Sequence, residues 1–210
     1  RKAEALAENF AEQWLNLRGL AEIEPDVQKF PDYSTELRDD MRQETLQVFN
    51  AIVREDRSVL EFLDANYTFV NRRLAKLYGL PAPKGNGFER VQLDPQRRAG
   101  VLTHASILTL TSNPDRTSPV KRGKWIMENI LGTPPPPPPP NVPDLEATQK
   151  AKPDASLREQ LAVHREAPMC ASCHNTMDVL GFGFENFNAV GQWRDKDGKH
   201  PIDASGTLPS

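Results

Sequence analysis

Seven consecutive prolines, Pro134–Pro140, divide this chain of 210 residues into two parts of unequal length. Proline has no backbone N–H and its ring fixes φ, so the tract is excluded from a helix interior and from a central strand. The sequence predicts a polyproline II rod there, which spans roughly 20 Å at about 3.1 Å per residue. Any packed core must therefore be built from the residues on either side of the rod.

The part before the prolines has the apolar spacing of amphipathic helices, in which apolar side chains recur every three or four positions. It predicts helices at residues 2–17, 35–52, 58–63, 68–78, 97–110 and 118–132, and one strand at Phe88–Leu93. Residues 81–96 are rich in Pro and Gly, so a second division of the chain near them stays open.

Capping residues mark several of these helix ends. Ser34 and Ser118 are predicted N-caps, and the proline that follows Ser118 suits the first turn of a helix. Ser58 and Glu61 have the spacing of a capping box. Gly79 is the residue type that favours the left-handed position just after a helix.

Charge and hydropathy exclude two classes of protein. Lys and Arg total 26 and Asp and Glu total 29, a formal net charge of -3, without the clustered basic excess of a nucleic-acid binder. No apolar run approaches the length of a transmembrane span. Residues 1–20 are interrupted by glutamates and lack an unbroken apolar segment, so they are not a signal peptide.

The strongest chemical signal follows the prolines. The two cysteines of the chain lie in Cys170-Ala171-Ser172-Cys173-His174, the CxxCH signature of covalent haem attachment. One helical turn presents both thiols on the same side, where they can add to the two vinyl groups of a porphyrin. The adjacent imidazole of His174 can then bind the iron as the proximal ligand. The sequence therefore predicts one haem c, attached through Cys170 and Cys173.

Three other uses of the cysteine pair stay open. A thioredoxin-like redox pair is expected in a βαβ context, which this sequence does not show. A zinc site needs a further ligand, for which His164 or His200 is available. The cysteines could also be chemically inert.

The sequence defines the other haem contacts less closely. Candidates for the distal iron ligand are His200, His104 and Met127. A Met or His in that position gives a six-coordinate electron carrier, whereas an open position permits peroxide or small-ligand chemistry. Trp193 and Arg194 are candidate hydrogen-bond donors to the haem propionates, since a guanidinium matches carboxylate geometry.

Together these features predict a mostly α fold. A helical, bundle-like part at 1–132 is joined by a polyproline and polar linker at 133–155 to a haem c-binding segment at 156–210. Ser156 and Glu159 have capping-box spacing for the helix that opens this segment.

The chain resembles the planctomycete-type cytochrome proteins, which are large secreted or periplasmic chains with consecutive domains of unknown function and CxxCH haem segments. The resemblance covers almost the whole chain and is carried by WLNLRGL (14–20), YTFVNRRLAKLYGL (67–80), AGVLTHASILTLTSNPDRTSPVKRGKWIMENILGTPPPPPPP (99–140), CASCHNTMD (170–178), GFGFENFNAVGQWR (181–194) and PIDASG (201–206). Val179 and Asn188 depart from the family, which tends to read MDP and ENFD at those places.

The resemblance implies haem c and a periplasmic or extracellular location, but no substrate. It also implies that the chain is a fragment of a longer protein with a signal peptide upstream. The first function hypothesis is a c-type cytochrome segment that transfers electrons to partner proteins that the sequence does not identify. The alternatives are a peroxidase-like haem oxidoreductase with an open axial site, and a structural or assembly module in which haem only staples the fold.

Overall fold

A computed structural model of the chain describes residues 5–137, 154–166 and 168–208. Within these residues the chain forms two compact units. Unit 1 comprises Arg1–Thr117 and Phe187–Trp193, and unit 2 comprises Ser118–Asn186 and Arg194–Ser210. The segment Phe187–Trp193 therefore belongs to unit 1, although the residues on both sides of it belong to unit 2.

Unit 1 consists mainly of helices, with one two-stranded antiparallel sheet. Its elements in chain order are a π-helical turn Ala7–Ala11, α1 (Glu12–Trp14), a 3-10 helix Leu17–Glu22, α2 (Thr35–Arg54), α3 (Glu61–Asp64), β1 (Tyr67–Val70), α4 (Arg72–Tyr78), β2 (Glu89–Gln92), a 3-10 helix Val101–Thr103 and α5 (Ala105–Leu110). The sheet pairs Tyr67 with Gln92 and Val70 with Glu89.

Unit 2 is also mainly helical, with one short antiparallel hairpin. Its elements in chain order are α6 (Pro119–Asn129), α7 (Leu157–His164), α8 (Pro168–Phe182), β3 (Lys196–Asp197) and β4 (His200–Pro201). The mostly α fold class predicted from the sequence is confirmed. No helix among the described residues is long and apolar enough to cross a membrane.

Most of the predicted helix caps are confirmed. The hydroxyls of Ser34 and Ser118 each accept a hydrogen bond of 3.2 Å from the backbone N–H three residues later. Ser156 and Glu159 form a complete capping box at the start of α7. Gly79 has a left-handed φ of 67° at the end of α4, as its residue type predicts.

The predicted capping box at Ser58 and Glu61 is wrong. The Ser58 hydroxyl accepts a hydrogen bond from Leu60 N, and α3 begins at Glu61 without a side-chain cap. The Glu61 carboxylate instead accepts hydrogen bonds from Arg57 Nε at 2.5 Å and from the Tyr67 hydroxyl at 3.1 Å. Because the carboxylate accepts hydrogen bonds from these two side chains, it does not accept one from the backbone N–H of Ser58, as a capping box requires.

The helix predicted at 68–78 is two elements. Its first part belongs to strand β1, and the partner strand β2 lies within the predicted strand Phe88–Leu93. The aromatic and β-branched residues of YTFV favour a pleated strand, and this preference prevails over the helical spacing of the segment. The Asn71 side chain then accepts a hydrogen bond from Leu74 N at 3.0 Å, and α4 begins at Arg72, the residue after Asn71.

Two other predicted helices are shorter than expected. The described part of the helix at 2–17 ends near Trp14, and Asn16 beyond it has a φ of 54°. Regular α-helix in the segment 97–110 begins only at Ala105, after Gly100 with its φ of 57°. Residues 134–137 are in neither helix nor strand. The rest of the predicted polyproline rod and linker, residues 138–153, lies outside the described residues.

The core of unit 1 joins residues from distant parts of the sequence. Its buried members are Leu20, Leu37, Met41, Val70, Leu74, Ala75, Leu77, Ala105 and Val190. Val190 belongs to the segment Phe187–Trp193, so this segment completes a core formed by residues before 118. The adjacent Gly191 has a φ of 79°, and a Cβ there would lie 2.7 Å from the Cα of Ala105.

Two glycines allow α6 and α8 to approach each other very closely. A Cβ on Gly123 would overlap the Met177 carbonyl oxygen, and a Cβ on Gly181 would overlap the Pro119 carbonyl oxygen. From the first contact to the second, the residue number falls along α6, from 123 to 119, and rises along α8, from 177 to 181. The two helices are therefore antiparallel. Backbones can meet in this way only where no side chain intervenes.

The boundary between the units differs from the predicted domain boundary at residue 132. Helix α6 precedes that residue but packs on α8, and its contacts group it with unit 2. The domains predicted at 1–132, 133–155 and 156–210 stay a prediction, since most of the linker lies outside the described residues.

Replacing Gly181 by Ala is expected to destabilise unit 2, because the new methyl group would overlap the Pro119 backbone. Overpacking typically costs about 1–3 kcal/mol, and an overlap with backbone belongs at the upper end of that range. Urea unfolding measures the cost. Gly183→Ala is the matched control, since a Cβ there meets only the Leu180 carbonyl oxygen at 3.5 Å. Equal stability of the two variants would contradict the close packing of α6 and α8.

Candidate functional site

Helix α8 carries the core of the predicted site. Cys170, Cys173 and His174 occupy positions i, i+3 and i+4, which share one face of a helix. All three residues are half-buried, and the two cysteines are free thiols. Apolar spacing in the sequence did not reveal this 15-residue helix, because the polar residues of the motif interrupt it.

A carboxylate lies beside the histidine of this helix. Asp178 follows His174 by one helical turn and is fully buried. Its Oδ1 lies 2.8 Å from His174 Nδ1, and its Oδ2 lies 3.7 Å from Arg165 Nε. Neither partner of the carboxylate is predicted from the sequence. The available signal was the i, i+4 spacing of His174 and Asp178 in CASCHNTMD, which becomes informative once the segment is known to be helical.

Among the three distal-ligand candidates, Met127 lies on the helix that packs against α8. The glycine contacts described above set an antiparallel register, and continuing this register by one turn places Met127 level with Cys173. The Met127 side chain is half-buried. His200 lies in strand β4 of the same unit and is also half-buried.

The third candidate, His104, lies in the core of unit 1. Its ring is fully buried, and Nδ1 lies 2.9 Å from Thr45 Oγ1, which also contacts the Ser106 hydroxyl. Burial and the charge of Arg98 lower the pKa of His104 to about 3, so the imidazole is neutral at physiological pH. A porphyrin could reach this nitrogen only if the core opened, so the placement argues against a role as iron ligand.

The two predicted propionate donors lie in different units. Trp193 is in unit 1, where its ring packs edge-on against Phe187 with the ring centroids 5.3 Å apart. Arg194 is in unit 2, where its guanidinium lies 3.1 Å from Glu185 Oε2 and 2.7 Å from Asp197 Oδ1. A propionate would have to share the Arg194 guanidinium with these two carboxylates.

Glu185 joins two arginines in a buried network of unit 2. Arg122 donates hydrogen bonds to Glu185 Oε1 at 3.0 Å and to the Phe184 carbonyl oxygen at 2.6 Å. Arg194 donates to the Glu185 carboxylate and to its backbone carbonyl. Burial lowers the pKa of Arg122 to about 10, which leaves the guanidinium charged at neutral pH. The network connects α6 with the residues that follow α8, and its members are too far apart in the sequence to be recognised there.

A second buried polar cluster lies in unit 1. Glu44 is fully buried and accepts hydrogen bonds of 2.6 Å from the hydroxyls of Thr68 and Tyr78. The Arg98 guanidinium lies 3.7 Å from the centroid of the Tyr78 ring. Burial raises the pKa of Glu44 to about 7, although the hydrogen bonds and Arg98 act in the opposite direction. Nothing in the local sequence distinguishes Glu44 from the exposed acidic residues of α2.

The side chains of α8 fit a covalently attached haem. Two free thiols on one helix face can form two thioether bonds, and the neighbouring imidazole can bind the iron. The Asp178 contact holds the His174 ring from its Nδ1 side. Among the residues that the structure describes, no group of three or more His, Cys, Asp or Glu side chains is arranged to hold a metal ion.

Two family models match the chain in succession. Residues 1–80 match PSD4, described as a protein of unknown function (DUF1592), and residues 98–197 match PSCyt3, described as a protein of unknown function (DUF1588). These are the consecutive domains typical of planctomycete-type cytochrome c proteins. No curated protein and no solved structure matches the chain.

The two matched domains divide the candidate sites between them. The DUF1588 match contains the whole of α8 and the buried network around Glu185, whereas the DUF1592 match contains Glu44, Thr68 and Tyr78. Arg98, which completes the Glu44 cluster, is the first residue of the DUF1588 match. The resemblance inferred from the sequence is confirmed at the level of these domains.

Glu44 is expected to make unit 1 less stable at neutral pH than at mildly acidic pH. Its pKa of about 7 in the folded state lies above the ordinary value of 4.5 for a glutamate carboxyl. The folded state therefore binds more protons between these values, and its stability falls as the pH rises through the folded-state pKa. Glu44→Gln should remove this dependence in urea unfolding at about pH 5 and about pH 8.

The control for this measurement is Glu55→Gln, which changes a more exposed glutamate just after α2. That variant should keep the loss of stability between the two pH values. An unchanged pH dependence in Glu44→Gln would show that Glu44 is not the group responsible.

Proposed function

We propose that the chain is a c-type cytochrome segment that holds one haem covalently and transfers single electrons outside the cytoplasmic membrane. The proposal rests on the arrangement of α8, where two free thiols and a histidine share one helix face. The DUF1588 match supports it, since this domain is typical of cytochrome c proteins. Haem is attached to CxxCH segments outside the cytoplasmic membrane, which supports the location.

Each residue of the motif has a separate task in this proposal. Cys170 and Cys173 form the thioether bonds, and His174 binds the iron through Nε2. The haem supplies a one-electron Fe(III)/Fe(II) couple when bound. Helix α8 keeps the three side chains at a fixed spacing, because its backbone is packed directly on α6.

Met127 is the sixth iron ligand in this proposal. Met127 lies in the same unit as the motif, on α6, and a methionine together with a histidine is the iron ligand pair of electron-carrying cytochromes c. A methionine thioether bound to the iron would suit an electron carrier and would raise its potential. If the position is open instead, the haem can bind small ligands or peroxide, and the chain is an oxidoreductase.

The haem itself is tested by extraction. Protein produced in a host that attaches haem c is treated with an acidic organic solvent, and its absorbance is recorded in alkaline pyridine after reduction. We expect a c-type spectrum in the protein fraction. The double variant Cys170→Ala, Cys173→Ala should release its haem, whereas Ser172→Ala, between the two cysteines, should retain it. A colourless wild-type protein would contradict both the carrier and the haem enzyme.

Carbon monoxide binding to the reduced protein separates the carrier from the open-site enzyme. When Met127 is bound to the iron, carbon monoxide has to displace it, so binding should be slow and weak in the wild type. Met127→Leu should bind it rapidly, and Met177→Leu, a methionine of α8, should behave as the wild type. Rapid binding by the wild type would favour the open-site oxidoreductase.

A further inference from the structure

Asp178 is a fully buried carboxylate that lies outside the CxxCH motif but contacts its histidine. Its Oδ1 contacts His174 Nδ1 at 2.8 Å, and its Oδ2 lies 3.7 Å from Arg165 Nε. Burial of a charged group is costly unless the charge is paired and hydrogen-bonded. The imidazole supplies a hydrogen-bond partner for Oδ1, and Arg165 supplies a neighbouring positive charge, whereas Oδ2 has no hydrogen-bond partner among the described residues.

The carboxylate determines which nitrogen of His174 carries the proton. An ionised carboxylate has only acceptor atoms, so His174 Nδ1 is the donor in the 2.8 Å contact when Asp178 is ionised. The lone pair of the neutral imidazole is then on Nε2, the nitrogen assigned to the iron in the proposed function. Metal-binding histidines commonly donate their other N–H to a carboxylate, which fixes the ring and makes it a more basic ligand.

The fold holds Asp178 in place without help from a cofactor. The preceding residue, Met177, meets Gly123 through its carbonyl group, and Gly181 meets Pro119 almost one turn later. These backbone contacts set both the position and the rotation of α8. The guanidinium of Arg165 is also held near the buried Phe182 ring, 5.7 Å from its centroid.

We propose that Asp178 is a positioning residue that orients His174 toward the iron and lowers the midpoint potential of the haem. This inference rests on the proposed function. A negative charge hydrogen-bonded to an axial imidazole increases electron donation to the iron and so favours the ferric state over the ferrous state. The effect acts through His174, so Asp178 has no need to touch the haem.

The test is the midpoint potential of the haem-loaded protein carrying Asp178→Asn. Asparagine has the same shape and can still accept the Nδ1 hydrogen bond, but it carries no charge. We expect the potential to rise by an amount that corresponds to a roughly tenfold change in the equilibrium constant, about 59 mV for a one-electron couple. Asp178→Glu, which retains the charge, should lie closer to the wild type.

Asp203→Asn is the matched control for the loss of one negative charge. Asp203 is an exposed carboxylate of the same unit, paired with Arg158 at 3.6 Å. This variant should leave the midpoint potential unchanged. An equal rise in Asp178→Asn and Asp203→Asn would mean that net charge, and not the hydrogen bond to His174, sets the potential, and the proposal would be overturned.

A measurement on the unsubstituted protein does not depend on the folding of any variant. In the reduced protein, whose six-coordinate ferrous haem would be diamagnetic, the Nδ1 proton of His174 should give a proton NMR resonance that exchanges slowly with water. Rapid exchange of this proton would overturn the proposal, because a buried hydrogen bond to Asp178 protects it.

The outcomes distinguish this inference from the function on which it rests. If the wild type carries covalent haem but Asp178→Asn leaves its potential unchanged, the role of Asp178 is wrong and the proposed function stands. If the wild type carries no covalent haem, the proposed function fails and the inference fails with it.

Discussion

The backbone contact between α6 and α8 is the constraint on which the rest of unit 2 depends. Because Gly123 and Gly181 have no side chains, the two helices meet main chain to main chain, and neither can slide or rotate without losing both contacts. Helix α8 has little apolar periodicity of its own, so its helical structure depends on this packing more than on its sequence. The segment Cys170–His174 is therefore presented by a helix whose orientation is set by its neighbour.

Buried charge is the second feature that shapes both units. Glu185 is held by two arginines in unit 2, Asp178 lies between His174 and Arg165, and Glu44 lies in a comparable polar cluster of unit 1. Removing one partner of such a buried pair costs about 3–5 kcal/mol, because the other charge is left uncompensated. A charged group with several hydrogen bonds accepts few arrangements of its neighbours, so these clusters specify the geometry of the helices around them.

The sequence was informative where the interacting groups are close in the chain. The N-caps at Ser34 and Ser156 were predicted because their hydrogen-bond partners lie three residues away. The Cys170–His174 motif was visible for the same reason. Strand β1 was predicted as part of a helix because its apolar spacing also fits one, and the contact of Arg122 with Glu185 joins residues 63 positions apart. Local spacing carries no record of such contacts, since only the folded chain brings these groups together.

Each unit is built from two separate stretches of the chain, because the segment Phe187–Trp193 belongs to unit 1. The polypeptide passes from unit 1 to unit 2 at Ser118, returns to unit 1 after Asn186 and re-enters unit 2 at Arg194. Neither unit therefore corresponds to one uninterrupted stretch of coding sequence. Recombination that exchanged everything from Ser118 onward would also replace Val190, a member of the unit 1 core. A substitution in the core of unit 1 must therefore be compatible with Val190, a residue encoded between two stretches of unit 2.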